Sequence, residues 1–138
     1  MGTGAPATLE DRIELVRRIY DEHWLDEELD EILPFVDPDC ELINPDDAVV
    51  GGVRHGIGEV TEAWRSLTTT LNDPKHELLR LEGQGEIVIA DIHFSASVRD
   101  TEIRVEHEEV HTWTFRDGRI ISLEWGRDPE AARRAAGF

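Results

Sequence analysis

Apolar residues at helical spacing dominate the first half of the chain. Apolar side chains recur every three or four positions from residue 9 onward, which predicts a helix over residues 9–23 with Thr8 as its N-cap. A second, shorter helix is predicted over residues 26–34, with one apolar face and acidic residues elsewhere. A third is predicted to begin near Gly58 and to end before residue 72.

The segment between the second and third helices carries turn and loop signals. The sequence Asp-Pro-Asp at residues 37–39 predicts a turn, and residues 40–43 predict a short strand. The stretch 45–58 is rich in glycine and is predicted to be a loop, with Asp46 and Asp47 exposed to solvent.

In the second half of the chain, apolar and polar residues alternate with the two-residue period of strands. Strands are predicted over residues 77–82, 86–98, 102–115 and 120–125, and a short helix over residues 127–136. Helices segregated from a run of antiparallel strands predict a layered α+β fold. A long, bent sheet with helices on one side leaves an internal apolar pocket, where small ligands bind.

Length and composition are those of one globular domain. The chain has 138 residues, and its 39% hydrophobic content argues against disorder throughout. Residues 1–8 are small and uncharged and are predicted to form a disordered leader, which leaves residues 9–138 as a single domain. No stretch is apolar enough to span a bilayer, and the simplest location is the cytoplasm.

Charge and cysteine content exclude several partners. The net charge of −17 argues against nucleic acid, because phosphate binding needs clustered Lys and Arg, and against an anionic membrane. Cys40 is the only cysteine, so the chain has no internal disulfide and no zinc site built from several cysteines. The sequence has no glycine-rich nucleotide fingerprint, and no cofactor is predicted.

Three segments carry a resemblance to a known family. They are ELINP at residues 41–45, Arg54-His55-Gly56 opening a helix that carries Trp64, and VHTWTFRDGRI at residues 110–120, which runs into an alanine-rich tail. Together they resemble the nuclear transport factor 2 superfamily, in particular its SnoaL-like and ketosteroid-isomerase-like branch. The resemblance covers nearly all of residues 8–138.

The resemblance implies a fold but no single reaction. The implied fold is a cone-like α+β barrel, in which a curved antiparallel sheet wraps around helices and encloses an apolar pocket. It also implies a homodimer formed through the sheet. This fold hosts isomerases, cyclases, dehydratases, epoxide hydrolases and non-catalytic binders, so function has to be argued from the site.

The resemblance also implies where polar groups stand in the pocket. In ketosteroid isomerases the catalytic base precedes the proline that ends the first strand, and Asn44 stands there, whose amide cannot abstract a proton. The tyrosine that stabilises the oxyanion matches Tyr20, and the corresponding acid on the penultimate strand matches His111. The epoxide-hydrolase branch needs an acid on the last strand, where this chain has Trp125.

His111 is the leading catalytic candidate from the residues themselves. Alternation places it on the strand face of Trp113 and Phe115, which we expect to line the pocket, and an imidazole there can act as general acid or base. The alternative is a buried histidine satisfied by a neighbouring carboxylate or carbonyl.

Tyr20 and Asn44 are expected to polarise a ligand carbonyl. The alternative for Tyr20 is a core residue of the first helix, and the alternative for Asn44 is a turn residue at the end of a strand.

The remaining candidates form the expected ligand-binding wall. They are Trp113, Trp125, Glu109, Phe94, Trp64 and Leu123. Trp64 also fits an ordinary core position. Glu109 either orients His111 or is a solvated charge at a sheet edge. The acidic run over residues 21–31 is expected to be a solvated face, and Cys40 a small core residue.

His107 and Glu109 share the strand face of His111, which raises the question of a metal ion. Strand residues four apart lie about 13 Å apart along the chain, whereas zinc ligands lie about 2 Å from the ion. His107 and His111 therefore cannot both bind one ion, and residues such as His93 or His55 would have to take part. No metal is predicted.

Two functions remain open from the sequence. One is an enzyme of the isomerase, lyase or cyclase type that transfers a proton on a small, mostly apolar carbonyl compound. The other is a non-catalytic ligand-binding or dimerisation domain with the same pocket, which the amide at Asn44 favours. A second titratable group beside His111 in the pocket would favour the enzyme.

Overall fold

The computed structural model describes residues 8–45, 52–66 and 71–138. It is a mixed α+β structure, as predicted, with helices packed against one curved, open sheet. The helices are α1 (Leu9–Asp21), α2 (Trp24–Glu27), α3 (Ile57–Arg65) and α4 (Pro129–Ala136), with 3₁₀ turns at Leu29–Glu31 and Leu33–Phe35. The strands are β1 (Val36–Asn44), β2 (Gly52–His55), β3 (Leu71–Gln84), β4 (Ile87–Val98), β5 (Arg104–Arg116) and β6 (Arg119–Gly126).

The six strands lie in the order β2-β1-β6-β5-β4-β3. Strands β3 to β6 form an antiparallel meander, and β2 pairs with β1 in the same way. Among the described strands, only β1 and β6 run parallel, with Leu42 opposite Leu123. Parallel neighbours need a long connection, and here it is the rest of the chain between them.

Three local predictions were wrong. The helix predicted over residues 26–34 is one turn of α-helix followed by two 3₁₀ turns, because the backbone leaves the helical region at Glu28 (φ −140°) and Pro34 lacks a donor. The predicted turn at residues 37–39 belongs to β1, where a register shift between Val36 and Glu41 accommodates Pro38. The predicted loop 45–58 contains β2.

Some predictions lie outside the described residues. They concern residues 1–7 of the leader, Asp46 and Asp47 in the loop, and the end of the third helix beyond Ser66.

Helix α1 fills the concave side of the sheet. Thr8 caps it as predicted, because the Thr8 hydroxyl accepts the Asp11 N–H at 3.1 Å. Its buried stripe packs against the inner residues of β4 and β5, where the predicted alternation is observed. The main cluster consists of Leu15, Val16, Ile19, Tyr20, Trp24, Leu25, Ile32, Leu42, Val88, Ala90, Ile92, Trp113, Phe115, Ile120 and Leu123.

Helix α4 packs on the outer side of the sheet, against β4 and β5. Asp128 caps it by accepting the N–H groups of Glu130 and Ala131. Arg133 then bridges the helix to the sheet, with 2.7 Å to Glu82 and 3.2 Å to Asp91. In the described parts of the chain, no helix combines the length and apolarity needed to cross a membrane.

Candidate functional site

A group of buried ionisable side chains lies on the concave side of the sheet. We call it the buried polar cluster; it consists of Tyr20, Asp26, His76, Glu109 and His111. Alternation along β5 turns Glu109 and His111 inward, and the apolar stripe of α1 carries Tyr20 to the same place. Tyr20, His76, Glu109 and His111 are each less than a tenth exposed.

A continuous chain of hydrogen bonds runs through Tyr20, His111 and Glu109. The Tyr20 hydroxyl lies 2.6 Å from Nδ1 of His111, and Nε2 of His111 lies 2.8 Å from Oε1 of Glu109. The indole N–H of Trp113 donates to the Tyr20 hydroxyl oxygen at 2.9 Å. Because an ionised carboxylate only accepts, His111 donates through Nε2 and accepts the phenol proton at Nδ1.

Glu109 is surrounded by three histidines. Its second oxygen, Oε2, lies 2.6 Å from Nε2 of His107, a side chain that is 31% exposed. Nε2 of His76 faces Oε1 of Glu109 at 3.9 Å, which is beyond hydrogen-bond length. Glu109 is thus buried and paired, and its interpretation as a solvated edge charge was wrong.

Asp26 and His76 were missed as site residues. The His76 Nδ1–H donates to Oδ1 of Asp26 at 2.6 Å, and the His76 backbone N–H donates to Oδ2 at 2.9 Å. The Asp26 side chain is only 7% exposed, so the prediction of a solvated face was wrong at this residue. Extending the predicted strand by one position, in phase with Leu78, would have turned His76 inward; the sequence offers no such signal for Asp26.

Burial and hydrogen bonding set the protonation states. Burial raises the pKa of Tyr20 well above its usual value, so the phenol keeps its proton. Burial likewise lowers the pKa of His111, which favours the neutral imidazole. Burial alone would raise the pKa of Glu109, but the hydrogen bonds that it accepts from His111 and His107 lower it below its usual range.

An apolar cavity of about 50 Å³ lies beside the buried polar cluster. Helices, turns and strands all contribute to its wall, which includes Trp113, Leu123, Trp64, Cys40 and Leu25. Trp64 also contacts the His76 ring at 5.7 Å between centroids, and Trp113 touches Tyr20. The two tryptophans therefore separate the cavity from the polar groups.

A second, open hollow of about 430 Å³ shares part of its lining with the apolar cavity. Leu25, Leu29 and Trp64 line both spaces, and the Trp64 indole N–H donates to the Leu25 carbonyl at 2.7 Å. The rest of its lining, among the described residues, is mostly acidic. These three side chains form the partition between the apolar cavity and solvent.

The predicted site residues fall into two groups. Trp113, Trp64 and Leu123 line the cavity, whereas the described lining does not include Tyr20, His111, Glu109, Phe94, Trp125 or Asn44. Phe94 packs against His76, with ring centroids 4.7 Å apart. Oδ1 of Asn44 accepts the indole N–H of Trp125, which is the β6 partner of His111.

The two histidines named as additional metal ligands, His55 and His93, lie outside the cluster. His55 is exposed beside Glu41, and His93 bonds Glu106 at 2.9 Å on the outer face of the sheet. His76, from β3, instead brings a second imidazole to Glu109 and His111.

Comparison with known proteins agrees with this architecture. Residues 16–123 match the model of the SnoaL-like domain family, and the chain belongs to that family. A search of curated proteins found no match.

Solved structures extend the likeness to the fold as a whole. An NTF2-like protein of unknown function from Burkholderia pseudomallei K96243 is 23% identical, with 88% of this chain and 93% of that chain covered and a TM-score of 0.73. TerC, co-crystallised with polyporic acid, is 24% identical, with 91% and 98% covered and a TM-score of 0.71. A protein described as a SnoaL-like polyketide cyclase, from Jannaschia sp. CCS1, is 18% identical, with 89% of each chain covered and a TM-score of 0.72.

Proposed function

We propose that this protein binds a small, mostly apolar carbonyl compound in the cavity and catalyses a proton transfer on it, as an isomerase, lyase or cyclase. The observation that carries the proposal is the hydrogen-bonded chain of Tyr20, His111 and Glu109 directly behind the cavity wall. A carboxylate that orients an imidazole, which in turn faces a hydroxyl, is the arrangement that activates hydroxyl groups in enzymes.

The roles in the proposed reaction follow from the hydrogen bonds. Nδ1 of His111 takes the phenol proton of Tyr20 while the phenolate oxygen abstracts a proton from the substrate. Glu109 stabilises the imidazolium that forms, and Trp113 donates to the phenolate oxygen. His111 therefore acts through Tyr20 and does not itself contact the substrate.

Substrate must reach the Tyr20 hydroxyl past the aromatic wall. A cavity of about 50 Å³ is far below the roughly 300 Å³ of common ligand pockets. Helix α3, which carries Trp64, has no fully buried residue, so little burial holds this part of the wall in place. Displacing Trp64 would join the cavity to the open hollow and expose the polar cluster to a ligand.

The relatives support a small-molecule ligand without identifying it. TerC was crystallised with polyporic acid, and the Jannaschia protein is described as a polyketide cyclase. Both descriptions name carbon-rich compounds of the kind an apolar cavity accepts.

Exchange of carbon-bound hydrogen tests the proposed proton transfer and does not require the product to be identified. We would incubate a panel of ketones and diketones of increasing size with the protein in D₂O and follow loss of the α-proton by NMR. For at least one compound, the protein should accelerate exchange, and Tyr20→Phe and His111→Gln should abolish the acceleration. His93→Gln, on the outer face, is the matched control and should exchange like the unaltered protein.

A binding domain without catalysis is the second candidate, and a specific observation favours it. Tyr20 and His111 are nearly inaccessible, at 3% and 1%, and Asn44 stands where ketosteroid isomerases have a carboxylate base. Quenching of tryptophan fluorescence by a compound that shows no exchange would support binding alone. Absence of both binding and exchange across the panel would contradict both candidates.

We also propose a cytoplasmic homodimer that associates through the outer face of the sheet. Helix α4 covers the part of that face over β4 and β5 where Ile89 and Val110 are buried, so contact would use the remaining strand surface. Light scattering on purified protein measures the mass directly, and a monomer at all concentrations would contradict the dimer.

A further inference from the structure

The buried polar cluster holds two carboxylates without a permanent cation beside them. The side chains of Asp26 and Glu109 are 7% and 8% exposed. Among the described residues, their ionic partners are His76, His107 and His111, and none is Arg or Lys. A buried charge is costly unless it is compensated, and neutral histidines would leave this cluster with two negative charges.

Three side chains of the cluster converge on one point. One ligand atom each from His76, Glu109 and His111 lies within 4.8 Å of the other two, and all three residues are buried. Nε2 of His111 is 2.8 Å and Nε2 of His76 is 3.9 Å from Oε1 of Glu109. Ligand atoms of a tetrahedral zinc ion stand about 3.4 Å apart, given bonds of about 2.1 Å. Shifts of under about 1 Å would bring the three atoms to that spacing.

Each of these three side chains is held from behind by another polar group. Asp26 accepts from Nδ1 of His76, the Tyr20 hydroxyl bonds Nδ1 of His111, and His107 bonds the second oxygen of Glu109, each at 2.6 Å. Metal-binding histidines generally use their second nitrogen in this way, which fixes the ring and its tautomer. With its proton on Nδ1 for Asp26, neutral His76 presents a lone pair at Nε2.

We propose that His76, Glu109 and His111 bind one divalent transition-metal ion of the zinc type. Two imidazoles and one carboxylate are a set that zinc accepts, with the fourth position left for water or a ligand. The ion balances the two buried carboxylates and fills the space between His76 and Glu109. His107 is partly exposed and bonds Glu109, so the ion would enter from solvent beside this side chain.

Metal binding and the proposed proton transfer use the same imidazole in different states. An ion on Nε2 of His111 leaves the proton on Nδ1, which can then no longer accept the phenol proton of Tyr20. The metal-loaded protein is therefore inactive in the exchange reaction, and the metal-free protein is the form to which the proposed function applies. The metal site does not depend on that function.

Cobalt titration of tag-free protein stripped with EDTA tests the site. We expect one Co²⁺ per chain, with visible absorption bands of four-coordinate geometry that Zn²⁺ removes by displacement. His76→Gln should abolish this binding, and Asp26→Asn should weaken it about 10- to 100-fold by releasing the His76 ring. His93→Gln is the matched histidine control and should bind as the unaltered protein does.

The outcomes separate the two proposals. Absence of stoichiometric Co²⁺ or Zn²⁺ binding by folded protein, or binding that survives His76→Gln, would overturn the metal site. Circular dichroism checks the fold of each variant. If His76→Gln does not fold, the Co²⁺ affinity of folded Asp26→Asn is the test, and an unchanged affinity would overturn the metal site. Exchange activity measured in EDTA addresses the proton transfer alone, so either proposal can fail without the other.

Discussion

At the scale of single residues, the site is defined by which polar atoms meet. Tyr20 is at once a core residue of α1 and the partner of two other side chains, because its ring is buried and its hydroxyl bonds His111 and Trp113. Tyr20 therefore lies in the core, and its role toward a ligand carbonyl stays a prediction. Its hydroxyl joins the polar cluster to Trp113 of the aromatic wall.

Trp113→Ala is expected to lower the free energy of unfolding by about 3–5 kcal/mol, the usual range for deleting a buried aromatic side chain. Trp113 is 2% exposed and its N–H is satisfied by Tyr20, so the change leaves a cavity and removes a hydrogen bond. Urea unfolding measures the loss. The control Val53→Ala, at a 53% exposed position, should change stability by no more than about 0.5 kcal/mol. A loss below about 1 kcal/mol for Trp113→Ala would contradict its place in the core.

Cys40 is expected to resist thiol reagents in the folded protein. It is 2% exposed, and burial, reinforced by the negative charges of Asp37 and Asp39, raises the pKa of its thiol. A raised pKa means less of the reactive thiolate at neutral pH. Alkylation should therefore follow the rate of unfolding in native buffer and become fast in urea. Equally fast labelling in both conditions would contradict the burial.

At the scale of elements, α1 packs closely against β3 at Gly83. A Cβ at Gly83 of β3 would lie 3.0 Å from Cδ1 and Cγ1 of Ile13 and from Cδ1 of Leu9. A methyl group at this position would require these side-chain atoms to move by a few tenths of an ångström.

Gly83→Ala is expected to destabilise the protein by about 1–3 kcal/mol, because its methyl group overpacks against the side chains of Ile13 and Leu9. The entropic gain of replacing glycine, about 0.4–1 kcal/mol, is too small to offset this. Gly126→Ala is the matched control, since a Cβ there meets no atom of the described residues within 4 Å and its φ is not positive. Equal stability of the two variants in thermal unfolding would contradict the prediction, because it would show that Ile13 and Leu9 make room for the methyl group.

At the scale of the whole molecule, electrostatics is governed by an excess of acid. The chain has 31 Asp and Glu against 14 Lys and Arg. Such a net charge keeps molecules apart but destabilises the compact state through repulsion. Specific pairs such as those of Arg133 oppose the repulsion locally, yet exposed pairs contribute only about 0–1 kcal/mol each.

Added NaCl is expected to raise the free energy of unfolding between about 0.01 and 0.3 M. Over this range the screening length falls from about 30 Å to below about 10 Å, which weakens repulsion across the surface before it affects buried pairs. Chemical denaturation with urea, which is uncharged, at a series of salt concentrations measures the effect. A fall in stability with salt would show that local ion pairs outweigh the net repulsion.

The sequence by itself determined the class of fold and the alternation that turns residues inward. The period of α1, the Thr8 cap and the two-residue period of β4 and β5 depend on local spacing alone, and so does the inward placement of His111 and Trp113. The α2 region was harder to predict, because its helical signal was overridden at Glu28 and Pro34.

Only the tertiary structure decided how the polar residues are combined. Asp26, His76 and His111 come from three distant segments, and which of them meet depends on sheet curvature and on the register that sets His76 opposite Phe94 and Phe94 opposite His107. The cavity depended equally on this packing, since Trp64 and Trp113 line it from different elements. Local spacing determines which side of an element a residue occupies, whereas contacts between distant segments are determined by the packing of the whole chain.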